Sequence, residues 1–448
     1  MLAAWFRYLG ANAMFDLVIR NANLPGGRKG QDIGVTDGRI AAVGPGLGGA
    51  AGREIDAAGR LVSPPFVDSH VHMDSTLSLG LPRLNASGTL LEGIALWGEL
   101  KPHLTQEAVY ERARALCHWS AARGTLAIRS HVDVCDDRLL AVEALLRLKA
   151  EMAPWIDIQL VAFPQDGFYR SARAEENLRR ALKMGVEVVG GIPHFERTME
   201  EGRLSVRALM RIAADAGRLV DMHCDETDDP LSRHIETLTA ETFRHGMGGR
   251  VAGSHLTSMH SMDNDYVSKL IPLMAEAGVA AIANPLINIT LQGRHDTYPK
   301  RRGMTRVKEL MAAGVEVGFG HDCVMDPWYP LGSHDMLEVA SMGLHVGQLT
   351  GMREMAACFD AVTQMPAKIL GLDGYGLEPG CHADFVVLQA GDEMEAIRLR
   401  AERLFVIRRG KVLAESAPRQ AIVRFGDEAK AVDFTRGDLA AILRSGPG

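Results

Sequence analysis

Residues 64–72 read PPFVDSHVH, an apolar run that ends on two histidines, His70 and His72. Alternate side chains of a β-strand point to the same face, so these two imidazoles leave the strand together and can bind one ion. A histidine pair at this spacing also occurs in protein cores that bind no metal. The rest of the chain must therefore show whether this pair binds a metal or only packs in the core.

Seven further apolar runs downstream also end on polar residues. They are GTLAIRSHVDV (124–134), DIQLVAFPQD (157–166), VEVVGGIPHFE (186–196), RLVDMHCDE (218–226), GRVAGSHLT (249–257), VAAIANPLIN (279–288) and VEVGFGHD (315–322). Helical stretches separate them, apolar at i, i+3 and i+4 and closing on glycine, as in SVRALMRIAADAG (205–217). Eight such units predict an α/β fold, a (β/α)8 barrel with its active face at the carboxyl ends of the strands. A doubly wound open sheet is the alternative, but the chain has no glycine-rich phosphate loop to favour it.

The two ends of the chain have a different texture, with short alternating strands and Gly, Asn and Asp turns. Examples are FDLVIRNANL (15–24) and RLFVIRRGKVLAES (403–416). We therefore predict a small accessory β-sandwich domain made from residues 14–64 and 376–448, and a catalytic barrel over residues 65–375. Because Arg7 interrupts the first apolar run, we expect residues 1–13 to be a disordered extension and not a secretory signal.

Composition excludes several classes of protein and partner. Hydrophobic residues make up 47% and charged residues 23%, which excludes a wholly disordered or multi-span membrane chain. A net charge of −7 gives no field that would attract nucleic acid or an anionic membrane, so a small neutral ligand is expected. The six cysteines contain no CxxC pair and predict a reducing, cytoplasmic environment. No segment of the sequence indicates a subunit interface, so the sequence does not decide whether the protein is a monomer or a homo-oligomer.

Three more strand ends carry side chains that bind metals. His223 ends the fifth predicted strand, His255 the sixth and Asp322 the eighth. Three imidazoles and one carboxylate with an open position are typical of a catalytic divalent-metal site that makes a bound water more acidic. With His70 and His72, these residues predict such a site at the mouth of the barrel.

These motifs together resemble the amidohydrolase superfamily. They are HVHMD (70–74), HCDE (223–226), SH (254–255) and GHD (320–322). Three longer runs are similar to the bacterial cytosine deaminase family within it, and the similarity extends from Phe15 to about Val412. The runs are APWIDIQLVAFPQDG (153–167), NPLINITLQGRHDTYPKRRGMTRVKE (284–309) and FGHDCVMDPWYPLG (319–332).

The resemblance implies one divalent metal ion per subunit. Its ligands would be His70, His72, His223 and Asp322. Binuclear relatives carry a bridging lysine at the end of the fourth strand, whereas this chain has GGIPHFE (190–196) there. Mixed imidazole and carboxylate ligation suits zinc or iron, and also manganese.

The resemblance also implies hydrolytic deamination of a free aminopyrimidine. A water, deprotonated with help from His255 and Asp322, would attack C4, Glu226 would protonate N3, and ammonia would leave. Gln165 would hold the ring edge, with backbone near Leu90 making a further contact. Trp328 would wall the pocket. His131, Asp133, His194 and Asn284 also follow strands and are expected to support these groups.

One position departs from the family pattern. Relatives follow the metal-binding Asp with a second Asp beside C5 of the substrate, whereas this chain has Cys323. A carboxylate next to a methyl group loses its hydration without compensation, but a neutral thiol tolerates the contact. We therefore hypothesise that the pocket accepts 5-methylcytosine and converts it to thymine. The alternative is that Cys323 only fills space and cytosine stays the preferred substrate.

Two other functions stay open from the sequence. The first is deamination of a different ring, such as isocytosine, isoguanine or creatinine. The second is a non-catalytic scaffold that has lost its metal, although the chain keeps all four implied ligands and both proton-handling residues.

Overall fold

The structure, a computed structural model, describes residues 14–437. The extension predicted for residues 1–13 lies outside these residues, as does the segment 438–448 of the predicted accessory domain. The strands, in chain order, are β1 (Phe15–Leu24), β2 (Arg28–Thr36), β3 (Arg39–Gly44), β4 (Ala51–Asp56), β5 (Val62–Ser63), β6 (Phe66–Val71), β7 (Thr125–Asp133), β8 (Asp157–Phe163), β9 (Val188–Gly191), β10 (Leu219–Cys224), β11 (Val251–His255), β12 (Val279–Ala283), β13 (Val317–Phe319), β14 (Phe385–Leu388), β15 (Arg403–Arg408), β16 (Lys411–Glu415), β17 (Ala421–Phe425) and β18 (Glu428–Val432).

The α-helices fill most of the connections between these strands. In chain order they are α1 (Leu90–Leu100), α2 (Gln106–Ala122), α3 (Leu140–Met152), α4 (Ala174–Met184), α5 (Met199–Asp215), α6 (His234–His245), α7 (Asn264–Ala277), α8 (Pro285–Leu291), α9 (Val307–Ala312), α10 (Met336–Gly347), α11 (Met352–Asp360), α12 (Gln364–Leu370) and α13 (Glu393–Leu399). Short 3₁₀ turns at residues 25–27, 101–103, 193–195 and 257–260 complete the elements.

The central sheet contains the eight strands β6 to β13, which run parallel and lie side by side in chain order. Each of the eight predicted runs supplies one of these strands. The two outer strands, β6 and β13, meet at their carboxyl ends, where the Asp322 amide donates to His70 O at 2.7 Å and the His72 amide donates to Asp322 O at 3.0 Å. The sheet therefore closes, which confirms the predicted (β/α)8 barrel.

Local sequence explains how the outer helices begin and end. The α5 helix begins where the Thr198 hydroxyl accepts from the Glu201 amide, and α7 ends at Gly278, whose φ is 68°. A side chain in this left-handed region is strained, so glycine is the favoured residue there. Apolar faces of the helices and strands join in one large core that surrounds the barrel. Their packing holds the strand ends in fixed positions.

Strands from both chain ends form two four-stranded sheets, in the orders β3-β2-β1-β4 and β16-β15-β14-β5. Both sheets contribute to one hydrophobic core, with Leu17 and Ile33 from the first and Phe385 and Ile407 from the second. This arrangement is the expected accessory sandwich. The boundaries at 64/65 and 375/376 are a proposal, which the pairing of β5 with β14 supports. The β17–β18 hairpin forms a separate two-stranded sheet.

Within residues 14–437, none of the helices combines the length and the apolar character that a membrane crossing requires.

Candidate active site

The carboxyl ends of the barrel strands surround a cavity of about 200 Å³. That volume is below the ~300–1,000 Å³ typical of pockets for drug-sized ligands, so the cavity suits a small molecule. Nearly all of the site residues identified from the sequence line it. They are His72, Leu90, Gln165, His223, Glu226, His255, Asp322, Cys323 and Trp328. His70 is fully buried and contacts this group from within the barrel.

Histidine nitrogens and one carboxylate cluster at the floor of the cavity. Nε2 of His72 lies 3.0 Å from Nε2 of His223 and 3.4 Å from Oδ1 of Asp322. Nε2 of His70 lies 3.5 Å from the same Oδ1. Four ligands about 2.0–2.1 Å from a tetrahedral zinc ion would be about 3.4 Å apart, so these spacings match a metal site.

The charge states of these groups also suit a cation. Burial lowers the pKa of His72 to about 4 and holds the pKa of His223 well below its ordinary value, which leaves both imidazoles neutral at pH 7. Burial alone would raise the pKa of Asp322, but the surrounding histidines outweigh it and hold that pKa below its ordinary value. Neutral imidazoles and an ionised carboxylate are the forms that bind a divalent metal. Nε2 of His70, the nitrogen that faces Asp322, is buried without a hydrogen-bond partner, as a ligand atom would be before an ion binds.

Backbone strain gathers at the same strand ends. Asp225, His255 and Asp322 have φ values of 55°, 71° and 68°. A non-glycine residue in this left-handed region costs ~1–3 kcal/mol, and such residues cluster at functional sites. The side chains of two of these residues, His255 and Asp322, line the cavity.

Glu226 and His255 face Asp322 across the cluster. The Glu226 carboxylate lies 3.4 Å from Nδ1 of His255, and Nε2 of His255 lies 3.8 Å from Oδ2 of Asp322. Burial, reinforced by the negative charge of Asp322, raises the pKa of Glu226 well above its ordinary value. Glu226 is therefore suited to hold a proton near neutral pH and release it during a reaction.

The far wall of the cavity contains the predicted substrate contacts. Gln165 follows β8, and Leu90 begins α1. A Cβ added at Gly93 of α1 would clash with the Trp328 ring, so glycine lets that ring pack against the helix. Cys323 is 4% exposed, and burial raises the pKa of its thiol well above 9, which keeps it neutral.

Two contacts were not identified from the sequence. Nδ2 of Asn288 donates to Nδ1 of His255 at 3.0 Å. Oδ1 of Asn288 accepts from the backbone N–H of Asn284 at 3.2 Å, and this second contact fixes which way the Asn288 side-chain amide points. Nδ1 of His255 therefore accepts, and the neutral ring carries its proton on Nε2. Asn288 lies one helical turn after Asn284, and this i, i+4 spacing was the available signal. His194, expected only to support the site, lines the cavity itself.

Much of the cavity wall is apolar, a feature that the sequence pattern did not predict. Ring-sized ligands would contact aliphatic and aromatic side chains there, namely Leu91, Ile94, Ile192, Phe195, Ile287 and Leu291. These residues lie on α1, α8 and the turn after β9, and their helical spacing alone did not distinguish a pocket wall from core.

Comparison with known proteins agrees with this architecture. A chain from Pseudomonas sp. (strain ADP), N-isopropylammelide isopropyl amidohydrolase, is 32% identical over 408 residues, which cover 90% of this chain and 98% of that one. The structure of 5-methylcytosine deaminase from Klebsiella pneumoniae with 5-fluorocytosine is 43% identical, with a TM-score of 0.88 and coverage of 91% and 99%. The N-isopropylammelide isopropylaminohydrolase structure from Burkholderia multivorans is 28% identical, with a TM-score of 0.79 and coverage of 89% and 98%.

The model of the amidohydrolase family matches residues 53–415, a span that contains all eight barrel strands and every group at the cavity floor. That match, together with the relative that is 32% identical over almost its whole length, establishes the family. The chain belongs to the amidohydrolase family.

Proposed function

We propose that this protein is a hydrolase that deaminates a free aminopyrimidine, cytosine or 5-methylcytosine, releasing ammonia. The observation that carries the proposal is the small cavity in which Glu226 and Gln165 face a buried cluster of histidines and Asp322. The 43% identity to the 5-methylcytosine deaminase from Klebsiella pneumoniae supports the same class of substrate.

One divalent ion, zinc, iron or manganese, is the proposed cofactor, with His70, His72, His223 and Asp322 as its ligands. Three observations support this set: the neutral imidazoles of His72 and His223, the ionised carboxylate of Asp322, and the spacings of 3.4 and 3.5 Å from its Oδ1 to Nε2 of His72 and His70. When bound, the ion would act as a Lewis acid and make a coordinated water a better nucleophile at neutral pH.

The protein residues would move the protons of the reaction. Nε2–H of His255 is oriented by Asn288 and can donate a hydrogen bond to the attacking water. Oδ2 of Asp322, which lies 3.8 Å from that nitrogen, would take a proton from the same water. Glu226, with its raised pKa, would protonate ring N3 and then help the amino group leave as ammonia.

Two features favour a neutral, aromatic substrate. Gln165 offers one donor and one acceptor, which match the N1–H and O2 edge of a pyrimidine. The apolar wall of the cavity and Trp328 suit the faces of a flat ring. The neutral Cys323 thiol replaces the charged group that would exclude a methyl group at C5, so we propose 5-methylcytosine as the preferred base.

Ammonia release by metal-loaded protein, with cytosine and 5-methylcytosine supplied separately at equal concentration, tests the proposal directly. We expect turnover of both bases and a higher kcat/KM for 5-methylcytosine. Activity on N-isopropylammelide with none on either pyrimidine would contradict the proposal and indicate the substrate of the Pseudomonas relative.

Replacing Cys323 by Asp should reverse the preference between the two bases. A carboxylate beside the 5-methyl group would lose hydration without gaining a partner, so we expect kcat/KM for 5-methylcytosine to fall about 10–100-fold relative to cytosine. Steady-state kinetics on both bases measures the ratio. Cys323→Ser, which stays small and neutral, is the matched control and should keep the ratio within a few-fold. Equal loss on both bases in Cys323→Asp would refute the specificity role.

A further inference from the structure

A chain of buried polar groups lies behind His70, on the side away from the cavity. Nδ1 of His70 lies 2.9 Å from the Ser254 hydroxyl, and that hydroxyl donates to Oδ1 of Asp221 at 2.6 Å. Nη1 of Arg129 donates to the other oxygen, Oδ2, at 3.0 Å. All four side chains are at most 1% exposed, so water does not compete for these contacts.

The direction of each hydrogen bond follows from the number of hydrogens available. The Asp221 carboxylate can only accept, and the Ser254 hydroxyl has a single hydrogen, which it gives to Asp221. The hydroxyl oxygen can therefore only accept from His70. This places the ring proton of His70 on Nδ1 and leaves the lone pair of Nε2 free, on the side that faces Asp322 Oδ1.

We propose that Asp221 is a positioning residue that sets the tautomer of His70 through Ser254 and thereby prepares Nε2 to bind the metal. Arg129 holds Asp221 in turn. Its Nε donates to Gln159 Oε1 at 2.7 Å and its Nη2 to Ile369 O at 3.3 Å, so the guanidinium is fixed from three directions. This inference rests on the proposed metal site but concerns groups that contact neither the metal nor the substrate.

The substitution Asp221→Asn is the strongest test, because it should reverse the direction of the hydrogen bonds that run from His70 through Ser254 to Asp221. We call this chain of hydrogen bonds the relay. Arg129 only donates, so it would bind the oxygen of the new amide and turn the NH₂ group toward Ser254. The NH₂ group would then donate to the hydroxyl, and the hydroxyl would donate to Nδ1 of His70. The ring proton would move to Nε2 and block the ligand atom.

We would measure zinc affinity at fixed pH by competition with a chromophoric chelator, which does not depend on enzymatic activity. Outer partners of metal-binding histidines typically change affinity ~10–100-fold, and we expect a loss of that size in Asp221→Asn. Ser254→Ala removes the relay without forcing the wrong tautomer, so its loss should be smaller. Ser205→Ala is the matched control, since that buried hydroxyl donates only to Gly202 O at 2.8 Å, and it should bind zinc like the wild type.

The double variant Asp221→Asn, Ser254→Ala gives the decisive comparison. Without a hydroxyl, the new amide cannot redirect the proton of His70, so the double variant should bind zinc more tightly than Asp221→Asn alone. Equal or weaker binding would overturn the inference. If Asp221→Asn does not fold, the zinc affinities of Ser254→Ala and Ser254→Thr test the inference instead. Weaker zinc binding by Ser254→Ala, with wild-type affinity recovered in Ser254→Thr, supports the relay. Equal zinc affinity in Ser254→Ala and the wild type refutes it. Failure of the wild type to bind zinc, iron or manganese would instead refute the proposed metal site.

Discussion

Replacing Glu226 by Gln should lower kcat by ~10²–10⁴-fold with much smaller effects on KM. A general acid or base contributes about this much, and Gln keeps the size and hydrogen bonding of Glu while losing the transferable proton. The structure gives Glu226 the properties of a proton carrier, because it is buried, lies next to His255 and has a raised pKa. Steady-state ammonia release on the preferred base measures the loss.

The neighbouring acid Asp229 provides the control for charge. It lies in the same loop but is exposed, and its Oδ1 accepts from the Leu231 amide at 2.9 Å, a contact that Asn can also make. Asp229→Asn should therefore keep kcat within about twofold of the wild type, as surface substitutions away from the site usually do. Zinc content of Glu226→Gln should equal that of the wild type. Near-normal turnover in Glu226→Gln would remove this residue from the mechanism.

Removing the metal should abolish deamination and also destabilise the protein. A ligand at 100 times its Kd stabilises the folded state by ~2.7 kcal/mol, so dialysis against a chelator should lower the Tm, and adding back one equivalent of the ion should restore both Tm and activity. His223→Ala should behave like the chelated protein, since it removes one of the proposed ligands. We would follow thermal unfolding with and without added zinc, in parallel with metal analysis.

An exposed histidine serves as the matched control for this experiment. His103 follows α1 and faces solvent. His103→Ala should bind metal, unfold and react as the wild type does. If zinc raises the Tm of His223→Ala as much as that of the wild type, His223 is not a ligand. If chelation leaves wild-type turnover intact, the metal-dependent mechanism is wrong.

The barrel can be predicted from the local sequence pattern. Parallel strands that are buried on both faces need continuous apolar runs, and each of the eight runs in this chain ends on a polar residue. The same regularity placed His70, His72, His223, His255 and Asp322 at one end of the barrel. Their assignment to roles came from the resemblance to cytosine deaminases, and Cys323 stood out only against that family pattern. These roles stay predictions, whereas the fold and the family are established.

Local sequence pattern is enough to predict the eight strands, their order and the end of the barrel at which the polar groups meet, since these depend on periodicity along the chain and on the chain's direction. The contacts between these groups, by contrast, are visible only in the folded chain. The Asn288 contact to His255, the entry of His194 into the cavity and the path from Arg129 through Asp221 and Ser254 to His70 join residues that lie far apart or on different elements. Such contacts depend on closure of the barrel and on packing in three dimensions, which a one-dimensional pattern of polar and apolar residues does not specify.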